Sequence, residues 1–405
     1  MKRIINWRSL AALIVVAFSA SLARADPLVK PGDRLFFLGD GAVGQRGCTT
    51  LVMDYFALRH PDASYSFRTL GFENLWHADK FQFSRGSIDA DITPAKPALL
   101  IFGFGQRETS DPNLDARHTK LLLDQYASMV ERIRLAGISI LILSPAALPG
   151  PAAQPTMDMA LQQGVLAARD KVPYIDLLAA SQAADAAMKD DNVTTASRDG
   201  SGLSPAGQVV AALAIIKALD AEDPASSLVI DAAKSTAAPL KCEVKDLAVT
   251  DAEIAFTRTD DSLPLGLPPG IAKVARDIPG LSDLNRYGLT VTGLKAGSYA
   301  LTVDGKKVGT FTAETLAAGV DLSLLPGPWQ TLAASVHTKS VAQECLYDMR
   351  CKKIAEVIVP AGAEPERTAL VARMDALVDQ AEATRIAIPA ADRTWKWSLQ
   401  RTAGQ

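Results

Sequence analysis

Asp40, Gln106, Asp199, Ser201 and Ser204 are the polar side chains nearest to three abrupt glycine turns, and they bound what this chain could catalyse. Gly39-Asp40-Gly41 ends the apolar run Phe36-Phe37-Leu38, and Gly103-Phe104-Gly105-Gln106 ends Ile101-Phe102. Asp199-Gly200-Ser201-Gly202-Leu203-Ser204-Pro205-Ala206-Gly207 leads into a helix. Glycines at strand ends let a substrate approach the backbone, and carboxylates, hydroxyls and N–H groups beside them are the material of acyl transfer. That chemistry needs a nucleophilic oxygen, a base, a carboxylate to orient the base, and donors for the oxyanion. Asp199 offers the carboxylate and Ser201 the nearest hydroxyl. No histidine stands in any of the three segments. His77 falls in a loop, His60 ends a helix, His118 opens one and His337 lies far downstream, so none has a catalytic case from sequence.

The turns sit in a regular frame. From residue 33 to about 220 short apolar runs alternate with helical patterns, as in a parallel sheet covered on both faces. Strands are expected at Arg34–Leu38, Ser64–Leu70, Pro97–Gly103, Ile138–Leu143 and Val172–Asp176. Helices are expected at Cys48–Arg59, Asp115–Leu135 and Thr156–Arg169. A last helix starts at Ser204, a good cap, with Pro205 in the favoured first position. Residues 221–244, rich in Ala, Ser, Asp and Pro, read as a linker or crossing segment. Beyond them Gly288–Thr292, Tyr299–Val303 and Val308–Thr312 read as strands, with Asp304-Gly305 as a hairpin turn. Residues 329–358 and 364–385 read as helices. Arg385–Leu399 reads as an extended tail whose Trp395 and Trp397 pack it down.

In order and spacing the three turns resemble blocks I, III and V of the SGNH/GDSL hydrolases, which read GDS, GxND and DxxHxxxxG. Tyr287–Pro326, with Thr302-Val303-Asp304-Gly305 and Leu316–Leu322, resembles the appendage of certain large exported bacterial SGNH proteins. The resemblance implies a three-layer α/β/α flavodoxin-like fold with a parallel sheet, plus a C-terminal β-hairpin/helical appendage. Carried over by position, Gly41 stands for the nucleophilic Ser, Gly105 for the oxyanion Asn and Gly202 for the His base. Gln106 replaces the Asp that follows the Asn. Asp40 keeps its turn, Gly103 and Gly71 match the glycines of blocks III and II, and Asp199 is the surviving triad carboxylate. Oxyanion donors would reduce to the backbone at Gly41 and Gly71. Loss of a triad nucleophile or base costs roughly 10⁶ in turnover. The resemblance thus implies a protein inactive as a serine esterase and kept as a binding or scaffold module. The alternative is an atypical ester hydrolase acting on acylated carbohydrates or other small esters. Trp76, Phe72 and Phe104, with Asp40, Gln106 and Ser201, would suit a sugar by stacking and hydrogen bonding, or else the rings fill a vacated pocket. No cofactor or metal is implied.

Composition sets the remaining bounds. The 405 residues suffice for one large domain with an appendage, or for two. Lys2, Arg3 and Arg8, the apolar Leu10–Ala20 and Ala23-Arg24-Ala25 together read as a secretory signal over 1–25, cleaved after Ala25. Its loss would remove four of 42 basic residues and none of 45 acidic ones, moving the net charge from −3 to −7. With no basic cluster interleaved with aromatics, a nucleic-acid partner is excluded. No later run is long enough to span a bilayer. The expected organisation is 26–220 as the hydrolase-like domain, 221–244 as the linker and 245–405 as the appendage, secreted or periplasmic. In that setting Cys48, Cys242, Cys345 and Cys351 read as disulfides in one of three pairings.

Overall fold

A computed structural model describes residues 28–72, 86–111, 114, 116–199, 202–220, 224–355, 359–360 and 362–402. The first half reads β1 (Arg34–Gly39), α1 (Gly41–Gly44), α2 (Gly47–Arg59), β2 (Ser66–Gly71), β3 (Leu99–Gly103), α3 (Gln106–Thr109), α4 (Ala116–Leu135), β4 (Ile140–Leu143), α5 (Ala153–Asp170), β5 (Tyr174–Ile175), α6 (Leu177–Ala187) and α7 (Pro205–Leu219). The strands form one parallel sheet in the order β2-β1-β3-β4-β5. That order places a topological switch point between β1 and β3, where open α/β sheets make their crevice.

Alternation along β1 shows why the sheet must be covered twice. Leu35 and Phe37 join the core made with α2 and α7, whereas Phe36 and Leu38 join the core made with α4 and α5. Each such side chain contributes about 1.5–3 kcal/mol by leaving water. The two faces therefore hold each other in register. Ser204 caps α7 by accepting the Gly207 N–H at 3.1 Å.

The second half reads β6 (Ser226–Asp231), β7 (Thr236–Leu240), β8 (Cys242–Val249), β9 (Glu253–Asp260), β10 (Tyr287–Thr292), β11 (Ser298–Val303), β12 (Lys306–Thr312), β13 (Val320–Asp321), α8 (Pro328–Met349), α9 (Glu364–Ile386) and β14 (Thr394–Arg401). These strands make two sheets, β13-β10-β6-β7 and β12-β11-β14-β9-β8. The segment read as a linker thus carries β6 and β7; β7 escaped notice because an edge strand exposed on both faces shows no hydrophobic alternation, whereas β6 is an inner strand with Leu228 and Ile230 buried. The tail begins its strand at Thr394, since α9 runs on through Arg385, whose buried guanidinium binds the carbonyls of Met53 and Tyr65. Trp397 stacks on Trp329 with centroids 5.6 Å apart, as a packing residue should.

The C-terminal helices are fastened along the open edge of the parallel sheet. Phe67 of β2 donates its N–H to Glu382 at 3.0 Å, and its carbonyl accepts from the Gln343 amide at 3.0 Å. Side chains of α8 and α9 thereby complete a strand edge that would otherwise be open to pairing. The proposed signal peptide lies outside the described residues, and no helix among the described residues is long and apolar enough to cross a membrane.

The expected disulfides are not formed. All four cysteines are free, with Cys48, Cys242 and Cys351 buried and Cys345 exposed. Cys345 and Cys351 are six residues apart on one helical stretch, about 9 Å along its axis, beyond what a disulfide spans. The thiols of Cys48 and Cys242 are turned to different carbonyls, Ala42 and Ser227.

One buried acid links the halves. Glu344 on α8 accepts the hydroxyls of Thr49 at 2.6 Å and Thr69 at 2.7 Å, and Arg46 Nε stands 4.0 Å from its other oxygen. Burial pushes its carboxyl up to about 7, against an ordinary 4.5. Between those values the folded chain keeps a proton that the unfolded chain has lost. The stability that this proton brings is complete below pH about 4.5 and is lost as pH rises through about 7. Urea denaturation at stepped pH should show Glu344→Gln gaining roughly 3 kcal/mol on the unaltered chain across that window. Parallel profiles for the two proteins would refute this placement of the proton.

Candidate functional site

The three glycine turns converge at the carboxyl ends of β1 and β3 and the start of α7. β1 and β3 run side by side to Gly39 and Gly103, and the Asp40 N–H is bonded to the Gly103 carbonyl at 2.8 Å. Gly71 ends β2 beside Gly39. A Cβ on Gly71 would stand 2.9 Å from the Gly44 Cα and 3.1 Å from the Val43 carbonyl oxygen, so the backbone there is closed by α1. The order of blocks read from sequence is thus also an order in space.

The positions where the resemblance puts reactive groups are not empty. Gly41 has φ +46, and a Cβ on it would lie 2.4 Å from Gln106 Cβ and 2.5 Å from Gln106 Cγ. Gln106 is buried, and its amide grips one residue at both ends. Its Oε1 accepts the Ala146 N–H at 2.6 Å, and its Nε2 donates to the Ala146 carbonyl at 3.3 Å. Gly105 has φ +112, and a Cβ on it would meet Met159 Cγ at 2.9 Å and Gln163 Nε2 at 3.2 Å. The Gln163 amide donates to the Phe104 carbonyl at 2.8 Å. At Gly202 a Cβ would stand 2.7 Å from Gln45 Nε2. Gln45 grips Leu203 as Gln106 grips Ala146, accepting its N–H at 2.8 Å and donating to its carbonyl at 3.3 Å. Gln106 and Gln45 occupy two of the three places, and Met159 with Gln163 the third.

Asp40 closes the crevice from the other side. Its carboxylate is buried and accepts the N–H groups of Gly105, Gln106 and Arg107 at 3.3–3.4 Å, the positive end of α3. Amides arranged like this would stabilise a developing oxyanion. Here they already hold a resident anion.

Asp199 is exposed on the loop between the bridged Ala196 and Leu203, and accepts the Ser197 hydroxyl at 2.6 Å. His60 pairs with Asp220 at 2.6 Å and His337 with Asp54 at 2.7 Å, carboxylates other than Asp199. His60 follows the far end of α2, 13 residues from its start, about 20 Å along the axis. His118 lies on an exposed face of α4. Ser201, Trp76 and His77 lie outside the described residues.

The proposed ligand contacts Asp40, Phe104 and Gln106 are instead internal. Phe104 is buried, stacked on Phe72 at 6.1 Å and tilted against Phe102 at 5.0 Å. Those rings fill the space behind the turn and offer no face to a sugar. Sequence reasoning passed over Gln45 and Gln163, and its one available clue was an amide standing where block III has an acid.

Adding a side chain at Gly41 should test the occupancy directly. Gly41→Ser is expected to destabilise the chain by about 1–3 kcal/mol through overpacking and a left-handed backbone. Gln106→Gly in the same chain should recover the steric part, giving a coupling above about 0.5 kcal/mol in a double-mutant cycle of urea denaturation. Additive effects would mean that Gln106 does not fill that place.

No protein-family model matches the chain, and no curated protein matches it. Among solved structures it is similar to a gut microbial diltiazem-metabolizing enzyme, with 18% identity over 92% of this chain and 98% of the other, at a TM-score of 0.75. It is also similar to an acetylxylan esterase from Geobacillus stearothermophilus, 15% identical over 48% of this chain and 97% of the other, TM-score 0.39. A lipase/acylhydrolase from Enterococcus faecalis is 14% identical over 46% of this chain and 94% of its own, TM-score 0.37. At such identities the whole-length likeness to the first of these speaks for architecture alone: the chain shares its α/β fold, a parallel sheet covered by helices on both faces and continued into a C-terminal half of strands and helices.

Proposed function

We propose that this chain is an exported SGNH-type protein that does not hydrolyse esters and serves as a binding or scaffold module. The observation that carries the reading is the occupancy of the crevice. Where the family's nucleophile would stand, the backbone is glycine at φ +46 and the Gln106 side chain lies across it. A hydroxyl is missing there, and room for one is missing too. The amides beside it are spent on the Asp40 carboxylate. Without a nucleophile or its base, turnover by the family's mechanism falls by roughly 10⁶, and loss of the oxyanion donor removes roughly a further 10²–10³.

The second reading is an atypical hydrolase of acylated carbohydrates or other small esters. It draws on the whole-length likeness to a diltiazem-metabolizing enzyme. The hydrogen-bonded pair Ser197–Asp199 would be its nearest chemistry, but a carboxylate alone is a poor base for a serine hydroxyl. Asp40, Phe104 and Gln106 are turned inward and offer no contact to a carbohydrate.

The test is a panel of short-chain p-nitrophenyl esters and acetylated sugars. The unaltered chain should give no turnover above buffer. Gly41→Ser, Gly105→Asn and Gly202→His should gain activity only when Gln106→Gly, Met159→Ala, Gln163→Gly and Gln45→Gly clear the space. Turnover by the unaltered chain, abolished by Asp199→Ala or Ser201→Ala, would establish the second reading instead. Export rests on the basic, apolar and small-residue runs of 1–25. N-terminal sequencing of the product made with its full leader should begin at Asp26, and a retained Met1 would exclude cleavage.

A further inference from the structure

An open cleft of about 630 Å³ lies between the β11–β12 hairpin and the first turns of α8, within the range of small-molecule sites. Its lining includes Val303 and Val308 from the hairpin, Pro326 and Pro328 from the loop before α8, and Leu332 from α8 itself. Val303 and Val308 are buried although they border open space. The smaller hollow around Arg68 and Arg350 differs, because its charges answer one another as Arg68–Glu382, Arg350–Asp91 and Arg350–Asp375.

Cations gather at one side of the apolar wall. The Asp304-Gly305 turn, with φ +47 and +74, is of the kind that closes a two-residue hairpin. A register shift follows at once, for Thr302 pairs with Lys307 while Leu301 pairs with Gly309. Val308 is the extra residue of this bulge. Bulges re-aim side chains, and here Lys306, Lys307 and Val308 all line the one cleft. Both lysines are exposed, and among the described residues neither has a carboxylate partner. Asp304 also lines the cleft, and its carboxylate accepts the Lys396 N–H at 2.9 Å. The 22-residue α8 starts at this cleft with no side-chain cap and no acid in its first turn, so its positive end is unanswered.

We propose that this cleft binds a medium-chain carboxylate, the alkyl tail against Val303, Val308 and Leu332 and the head beside Lys306 and Lys307. Two compact ammonium groups match the two oxygens of one carboxylate, and no arginine fork is present to favour a phosphate. The apolar wall selects against small hydrophilic anions. This goes beyond the reading of the crevice and stands whether or not the crevice is catalytic.

Calorimetric titration of the full mature chain with acetate, butyrate, hexanoate, octanoate and octanol tests it. Affinity should rise about fourfold per added methylene, and octanol should bind at least about tenfold more weakly than octanoate. Lys306→Gln with Lys307→Gln should weaken octanoate by about tenfold or more. Both lysines are exposed, so an unchanged melting temperature is expected for that variant. Leu332→Asn should weaken octanoate while leaving acetate unaffected. The proposal fails if octanoate gives no saturable heat, if octanol binds as tightly, or if the double lysine variant binds octanoate unchanged.

Discussion

The side chain of Gln106, its Cβ and Cγ against Gly41 and its amide bonded to both the N–H and the carbonyl of Ala146, is the contact on which the crevice depends. It copies the two-bond pattern of a β-bridge with a side chain. A buried amide is tolerable only when its polar atoms are answered, and this geometry answers both. With the side chain fixed there, Gly41 is confined to a left-handed backbone that glycine alone adopts without cost. α1 then starts at once, and Asp40 turns its carboxylate to the N-terminus of α3. The same device recurs at Leu203 with Gln45. Close packing explains why something must do this. A void left by a missing histidine or asparagine would cost stability in proportion to its volume, and a glutamine both fills such space and satisfies the backbone around it.

The C-terminal half is bound into the first by polar contacts of the same economy. Glu382 and Gln343 complete the edge of β2, while Arg385 reaches the carbonyls of Met53 and Tyr65 from α9. Within the C-terminal half itself, Arg258 and Asp260, both fully buried, tie β9 to Ser226 and Tyr287. Buried charges of this kind are weak contributors to net stability but severe penalties when one partner is removed. They therefore specify which surfaces meet. The two halves close on each other through partners that no other arrangement would satisfy.

Much of this frame could be read from the chain. The five parallel strands and the helices around them show their periods plainly, because a strand buried on both faces is continuously apolar and a covering helix keeps its stripe. Asp304-Gly305 announced its hairpin, and the tryptophans announced the packed tail. Strand β9, with clean alternation in Glu253–Asp260, was legible and passed over, as was α6, capped by Asp176. β7 was not legible, since its residues are mostly exposed and its composition is that of a loop. The site divides the same way. The glycines stand at the spacing that carries the resemblance, whereas the side chains packed against them come from 54 and 65 residues away for Gly105 and Gly41 and from another turn for Gly202. The disulfides failed because closeness in sequence is not closeness in space: a helical stretch holds Cys345 and Cys351 apart, and the Cys48 and Cys242 thiols turn to different carbonyls.

Filling has a consequence for how such a site could change. The two hydrophobic cores are built from side chains of the strands and of α2, α4, α5 and α7, and a glycine at 41, 105 or 202 supplies no side chain to them. Chemistry can therefore be removed without loosening the frame. Return is harder than departure. A serine placed at residue 41 meets Gln106 before it meets any substrate, and an asparagine at residue 105 meets Met159 and Gln163. Each single reversal is opposed by packing that the loss itself made favourable, so the reactive groups and their fillers must change together. A crevice in this condition is held closed by the same close packing that makes an ordinary active site precise.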